Sequence, residues 1–228
     1  MLRTIADDVF AFENDLRMPV GPMPARTTIL RRADGGLIVH SPLAIDDDTA
    51  RAIDAVGEVR ALVAPSKLHW MFLQAASERW PRASVLGPPG LEKKLPDLAF
   101  TPLPATGAAA ELGADVAIRL VEGVPYLAEH VFLHARSRTL VVTDLVFNVH
   151  EAKTFGMKAF LWVGGAWKKT AQDRVWRVLT KNRAAAARGA EEILRWDFDR
   201  VVLAHGELID SDAKARMEDA LAWMRKGA

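Results

Sequence analysis

The stretch VRALVAPSKLHWMFLQAASERWP, residues 59–81, joins a strand pattern to a helix pattern and sets a histidine at the joint. Residues 59–64 (VRALVA) show little polar alternation, as a strand covered on both faces would. Ser66 is a good N-cap, and Leu68, Met71, Phe72, Ala75 and Ala76 repeat at the spacing of an amphipathic helix. Trp80-Pro81 ends that helix, because the residue before proline resists the α conformation. His69 falls in the helix's first turn, where the dipole disfavours a positive imidazole, and the neutral imidazole is the form that binds metal. The stretch thus reads as a metal site, as the remnant of one, or as a helix packed on a sheet.

Working outward, residues 9–12 (VFAF) and 27–32 (TTILRR) are strand patterns, and TILRRADGGLIVH reads as a hairpin turning at Asp34-Gly35-Gly36. Asp46, Asp47 and Asp48 open a helix with Ala50, Ile53 and Val56 on its apolar face, closed by Gly57. Strands are expected at 84–86, 116–121, 130–134, 139–143 and 200–204, with a Pro/Gly/Ala-rich loop through residue 110. Gly164-Gly165 interrupts an aromatic-rich segment at 155–176. Helices are expected around 171–180 and 183–195, and a last helix is capped by Asp210 or Ser211. Strands and a hairpin, then alternating helices and strands, fit mixed sheets with helices outside them.

Composition narrows the chemistry. The 228 residues show no linker, so one domain spanning 1–228 is expected. There is no cysteine, which excludes disulfides, thiolate metal sites, iron–sulfur clusters and cysteine nucleophiles; any metal site must use His, Asp and Glu. The net charge of +1 with interspersed signs suggests neither a nucleic-acid partner nor a membrane surface, and Lys93-Lys94 and Lys168-Lys169 are too short for a basic patch. The N-terminus does not resemble a signal peptide and no apolar run is long enough to span a bilayer, so a cytoplasmic protein is the default expectation. Gly87-Pro88-Pro89-Gly90 carries prolines where a phosphate loop needs free N–H groups, and no serine sits in a nucleophile-elbow pattern.

Four polar residues stand at strand ends: His69, Asp144 in VVTDLVFN, His205 in VVLAHGE, and His130 in LAEHVFLH. Strand ends are where loops bring distant residues together on a rigid scaffold, and such a set suits zinc, iron or manganese. Each also has a plainer reading. His69 and His205 would be hydrogen-bonded packing histidines, Asp144 the cap of a turn at 145–148, and His130 an ordinary strand residue. His40 and His150 are expected at the surface or in packing.

The layout resembles the metallo-β-lactamase superfamily, from TTILRRADGGLIVH to VVLAHGE. More narrowly, APSKLHWMFL with AEHVFLHARSRTLVVTDLVFN is similar to an uncharacterised, DUF4336-like branch, a domain of unknown function. The resemblance implies an α/β fold, a four-layer αβ/βα sandwich of two mixed sheets flanked by helices, with the site at the edge of the sheets. The superfamily's motif is T-H-x-H-x-D-H. Here, aligned without gaps, Pro65 and Lys67 stand for the first two histidines, His69 for the aspartate and Trp70 for the last histidine. A slip of one residue makes His69 that last histidine. The third family histidine falls near Tyr126. Only two family positions survive cleanly, Asp144 matching the aspartate that bridges two metals and His205 the late histidine, so the resemblance implies that a standard two-zinc site cannot form. His69, Asp144 and His205, with or without His130, are the candidate ligands of at most one divalent transition metal.

Two functions compete on these residues. One is a hydrolase with a reduced, single-metal site acting on a small-molecule ester, amide or phosphoester, with residues 155–176 as a lid or substrate wall, though helix packing is the plainer reading of their tryptophans; Lys67 would oppose the metal or bind an anionic substrate. The other is a metal-free member of the fold that binds a small molecule or a protein partner. A hydrolase using a His–Asp pair on water needs no metal but has weaker physical support. The oligomeric state is open.

Overall fold

The structure, a computed structural model, describes residues 1–226. One sheet runs in sequence order through β1 (Arg3–Ala6), β2 (Val9–Met18), β3 (Gly21–Arg31), β4 (Leu37–His40), β5 (Val59–Val63), β6 (Ser84–Gly87) and β7 (Thr101–Pro102). The other is ordered β12 (Arg200–Leu203), β11 (Thr139–Val142), β10 (His130–His134), β9 (Val116–Leu120) and β8 (Thr106–Gly107). Both are mixed. In the first, pairing is antiparallel up to β4 and parallel from β4 to β7; in the second, only β11 and β12 run parallel.

The period-two alternation of strands sorts the apolar residues into layers. Ile38, Ala61 and Val63 of the first sheet meet Ile118, Phe132, Val141 and Val202 of the second in a shared core. On the first sheet's outer face, Val39, Val59 and Leu62 pack with Ile53 of α1 (Asp47–Asp54) and Leu73 and Ala76 of α2 (Leu73–Arg79). Val131, Leu133, Leu140 and Leu203 face outward from the second sheet. They are covered by Trp176 of α4 (Arg174–Leu179), Ala190 and Ile193 of α5 (Arg183–Arg195), and Met217 and Leu221 of α6 (Ala213–Arg225). α3 (Phe155–Gly164) seals a smaller core made of Met23, Phe147 and its own Met157 and Leu161. The result is the four-layer αβ/βα sandwich. No helix among the described residues is long and apolar enough to cross a membrane.

Parallel pairing decides where chemistry collects. Because β4 and β5 run parallel, as do β11 and β12, their C-terminal ends share one edge of the sandwich, and antiparallel β10 starts there. Backbone bonds stitch the two sheets at that edge: Lys67 N–H to Leu127 C=O at 2.8 Å and His130 N–H to Pro65 C=O at 2.8 Å.

Three local expectations change. Ser66 does not cap α2; its hydroxyl accepts from Leu68 N–H at 3.2 Å, residues 67–72 run as turns bound to the other sheet, and the helix starts at Leu73. The aromatic segment contains a helix of its own, α3, capped by the Thr154 hydroxyl and closed by Gly165 in the left-handed region (φ +80°). The last helix starts at Ala213 behind Asp212, not behind Asp210 or Ser211, and Asp212 makes no side-chain cap bond.

Candidate functional site

Four loops leave the shared edge, each directly after a strand. Ser41 follows β4, His69 follows β5, Asp144 follows β11 and His205 follows β12. Residues far apart in sequence are thereby carried to one point. Ligand atoms from His69, Asp144 and His205 all lie within 4.8 Å of one another. Nε2 of His69 stands 3.2 Å from Asp144 Oδ2, and Nε2 of His205 stands 3.4 Å from Oδ1. The two imidazoles are 5.4 Å apart, centroid to centroid.

The far side of each ring is anchored. His205 Nδ1 is 2.9 Å from Pro24 C=O. A carbonyl only accepts, so Nδ1 carries a proton and Nε2 is the atom left facing the carboxylate, as a lone pair in the neutral ring and as an N–H in the protonated one. Phe147 stacks on the same ring at 5.1 Å with an interplanar angle of 8°. Gly206 turns the chain away at φ +96°, where any Cβ would stand 2.2 Å from Asn148 C=O; only glycine fits. His69 Nδ1 is 2.7 Å from Ser41 Oγ. That hydroxyl donates or accepts as needed, so His69 takes either tautomer without losing the contact. Ser41 itself holds φ +55°, an uncommon conformation for a residue with a side chain.

Asp144 is held by its backbone. Buried Glu129 accepts from Thr143 N–H at 2.7 Å and from Asp144 N–H at 3.0 Å, and the indole N–H of Trp176 donates to Asp144 C=O at 2.6 Å. Burial works to raise the Asp144 carboxyl, but the His69 and His205 imidazoles outweigh it and hold the group well below the usual carboxylate range. Glu129 moves the other way: burial, then the neighbouring Asp144 charge, push it up to about 8. Although His69 Nε2 is close, it is not aligned for a hydrogen bond, and Asp144 Oδ2 is left buried with no hydrogen-bond partner.

The remaining histidines are placed differently. His130 is buried at the start of β10 with Nδ1 3.1 Å from Ala128 C=O, its Nε2 is unpaired, and it lies outside the three-residue group. His40 is buried edge-on against Phe132 with Nε2 likewise unpaired, and His150 bonds Asn148 Oδ1 at 3.0 Å. Lys67 points its ammonium to Pro125 C=O at 3.2 Å. Sequence reading missed Ser41, Glu129 and Trp176. The one available signal was an acid, Glu129, directly before a fully buried strand.

The model of a family described as a domain of unknown function (DUF4336) matches residues 6–91. No curated protein matches the sequence. Among solved structures, DIM-1 metallo-β-lactamase is similar over 100% of this chain and 98% of its own, at 12% identity and a TM-score of 0.66. A metallo-β-lactamase from Erythrobacter litoralis covers 99% and 92%, at 16% identity and 0.64. The metal-soaked Flv1 flavodiiron core from Synechocystis sp. PCC6803 covers 98% of this chain and 60% of that one, at 12% identity and 0.69.

Proposed function

We propose that this chain, which has the metallo-β-lactamase fold along its whole length, is a hydrolase with a single-metal site formed by His69, Asp144 and His205. The observation that carries this reading is the mismatch at Asp144. One imidazole lone pair and two carboxylate oxygens converge, yet Oδ2 is buried without a partner. Acceptors facing acceptors repel unless a positive charge lies between them. Two nitrogens and a carboxylate oxygen, each ring fixed from behind by a serine hydroxyl or a backbone carbonyl, also match the outer support that metal-binding histidines use.

The residues divide the work. His205 is locked in the tautomer that leaves Nε2 free. His69 keeps its Ser41 contact in either tautomer, so its Nε2 would be free to present a lone pair to an ion. Glu129 and Trp176 fix the backbone on which Asp144 rides, so its charge stays aimed between the rings. An ion held by His69, Asp144 and His205 would supply Lewis acidity and lower the pKa of a water there. Small-molecule esters, amides and phosphoesters are the substrate classes such a site serves. Zinc, manganese and iron all suit the donor set.

The test is a hydrolysis screen over those three classes with protein loaded separately with zinc, manganese and iron. Turnover that stops on chelation, returns with metal and is absent in Asp144→Ala supports the reading. Turnover indifferent to chelator contradicts it, as does failure of every class under every metal; the second outcome favours a binding protein.

A further inference from the structure

Away from the strand tips, the chain carries an unbalanced face. The tip of the β2–β3 hairpin, α3 and α4 line one groove of about 800 Å³, with Val20, Ala159, Phe160, Val163, Val175 and Val178 among its walls. The hairpin tip is fastened to α3, since the Thr154 hydroxyl donates to Val20 C=O at 3.1 Å. Of the twelve most exposed large apolar side chains among the described residues, eight come from these three elements. Phe155 is 85% exposed, Val178 77% and Trp162 70%, so they stand proud of the surface instead of packing a core. An apolar surface of this kind marks an interaction site.

Charge identifies the partner. Residues 152–190 hold nine Lys and Arg and one acid, Asp173, whose buried carboxylate caps α4. That is a net +8 in a chain of +1, leaving −7 for the remainder. The whole-chain balance conceals this separation. Lys158, Lys169, Arg174, Arg177, Lys181 and Arg188 are exposed, and among the described residues only Lys153 of the nine forms an ion pair, with Asp15. The acidic remainder turns the basic face toward an anionic surface.

We propose that this face docks peripherally on a membrane surface containing anionic lipid. Helix-borne valines, phenylalanines and a tryptophan enter the acyl–headgroup boundary while the surrounding lysines and arginines meet lipid phosphates. A symmetric dimer through the same face would set Lys158 of α3 and Arg174 and Arg177 of α4 against their own copies. A nucleic acid could stack on Phe155, Phe160 or Trp162 but would gain nothing from Val20, Val163, Val175 and Val178, which offer neither a stacking plane nor a polar atom for a base edge and make up half of the eight exposed side chains.

The test is vesicle flotation with phosphatidylcholine vesicles, with and without phosphatidylglycerol, run with chelator present so that the metal site plays no part. The protein is expected to float with anionic vesicles, to stay behind with neutral ones, and to be released by salt. Trp162→Glu with Val178→Glu should abolish flotation. Lys158→Glu with Lys169→Glu should weaken it about tenfold or more. All four positions are exposed, so an unchanged thermal midpoint checks the fold; if the first variant unfolds, the lysine pair carries the test. Absence of flotation with anionic vesicles overturns the proposal. So does flotation indifferent to both variants, a dimer that Trp162→Glu dissociates, or preferential binding of a single-stranded oligonucleotide.

Discussion

The imidazoles at the strand tips are somewhat more open to water than those of His40 and His130, and only the first pair meets a carboxylate with its far side anchored. His69 and His205 are anchored at Nδ1 and meet a carboxylate at Nε2. His40 and His130 have Nε2 buried with no partner. Burial, with the neighbouring His69 adding to it, pushes His40 down to about 3, and burial pushes His130 down to about 4; both are neutral at physiological pH. On the reading proposed above, what separates a candidate ligand from a packing histidine is support from behind and a carboxylate in front.

The sharpest way to break that contrast is to remove one member from each region. Asp144→Ala should weaken metal binding by more than about a hundredfold, since even outer-shell losses cost 10–100-fold. His130→Gln should change it less than about threefold on the same reasoning. Calorimetric titration with zinc or manganese reads both; equal losses would make His130 a ligand and dissolve the distinction.

A smaller effect probes the support. Ser41→Ala removes the hydroxyl behind His69, and Glu129→Gln replaces one of the two oxygens that accept from Thr143 N–H and Asp144 N–H with an amide that donates. Each should lower metal affinity about 10–100-fold. Unchanged affinity in both would mean the rings and the carboxylate hold position without help.

The smallest effect belongs to His40 and His130. A histidine with a lowered folded pKa binds a proton on unfolding, so its stability contribution is full above the unfolded value of 6.5 and is lost as pH falls toward about 4 for His130. Each such histidine costs about 0.8 kcal/mol at pH 6. Glu129 has the opposite sign, because its folded pKa is raised and it gives up a proton on unfolding between 4.5 and about 8. Denaturant unfolding of His130→Gln against the parent between pH 4 and 7 isolates the histidine. The variant should lose about one proton of pH dependence.

Much of the fold was legible because strand ends carry their own marks. VRALVA, HVFLH, TLVVT and RVVLA are nearly unbroken apolar runs, and the polar residues that follow or precede them mark the shared edge. What escaped reading did so for physical reasons. α3, FGMKAFLWVG, is apolar on several sides, so no stripe appears at helical spacing. Lys67 bonds across to the other sheet, which delays α2 and removes His69 from the helix dipole invoked for it. Glu13, Asn14 and Asp15 hide the long reach of β2 toward its hairpin tip. At the site, His69, Asp144 and His205 could be named from sequence, but Ser41 and Trp176 act through contacts between segments that no local pattern records.

The most direct measurement is elemental analysis of protein purified without chelator, alongside the Asp144→Ala/His205→Ala double variant. The account predicts stoichiometric divalent transition metal in the parent, none in the double variant, and a thermal midpoint that rises with added zinc or manganese only in the parent, since a ligand that binds only the native state must stabilise it. Metal-free parent protein whose midpoint ignores both ions would contradict it.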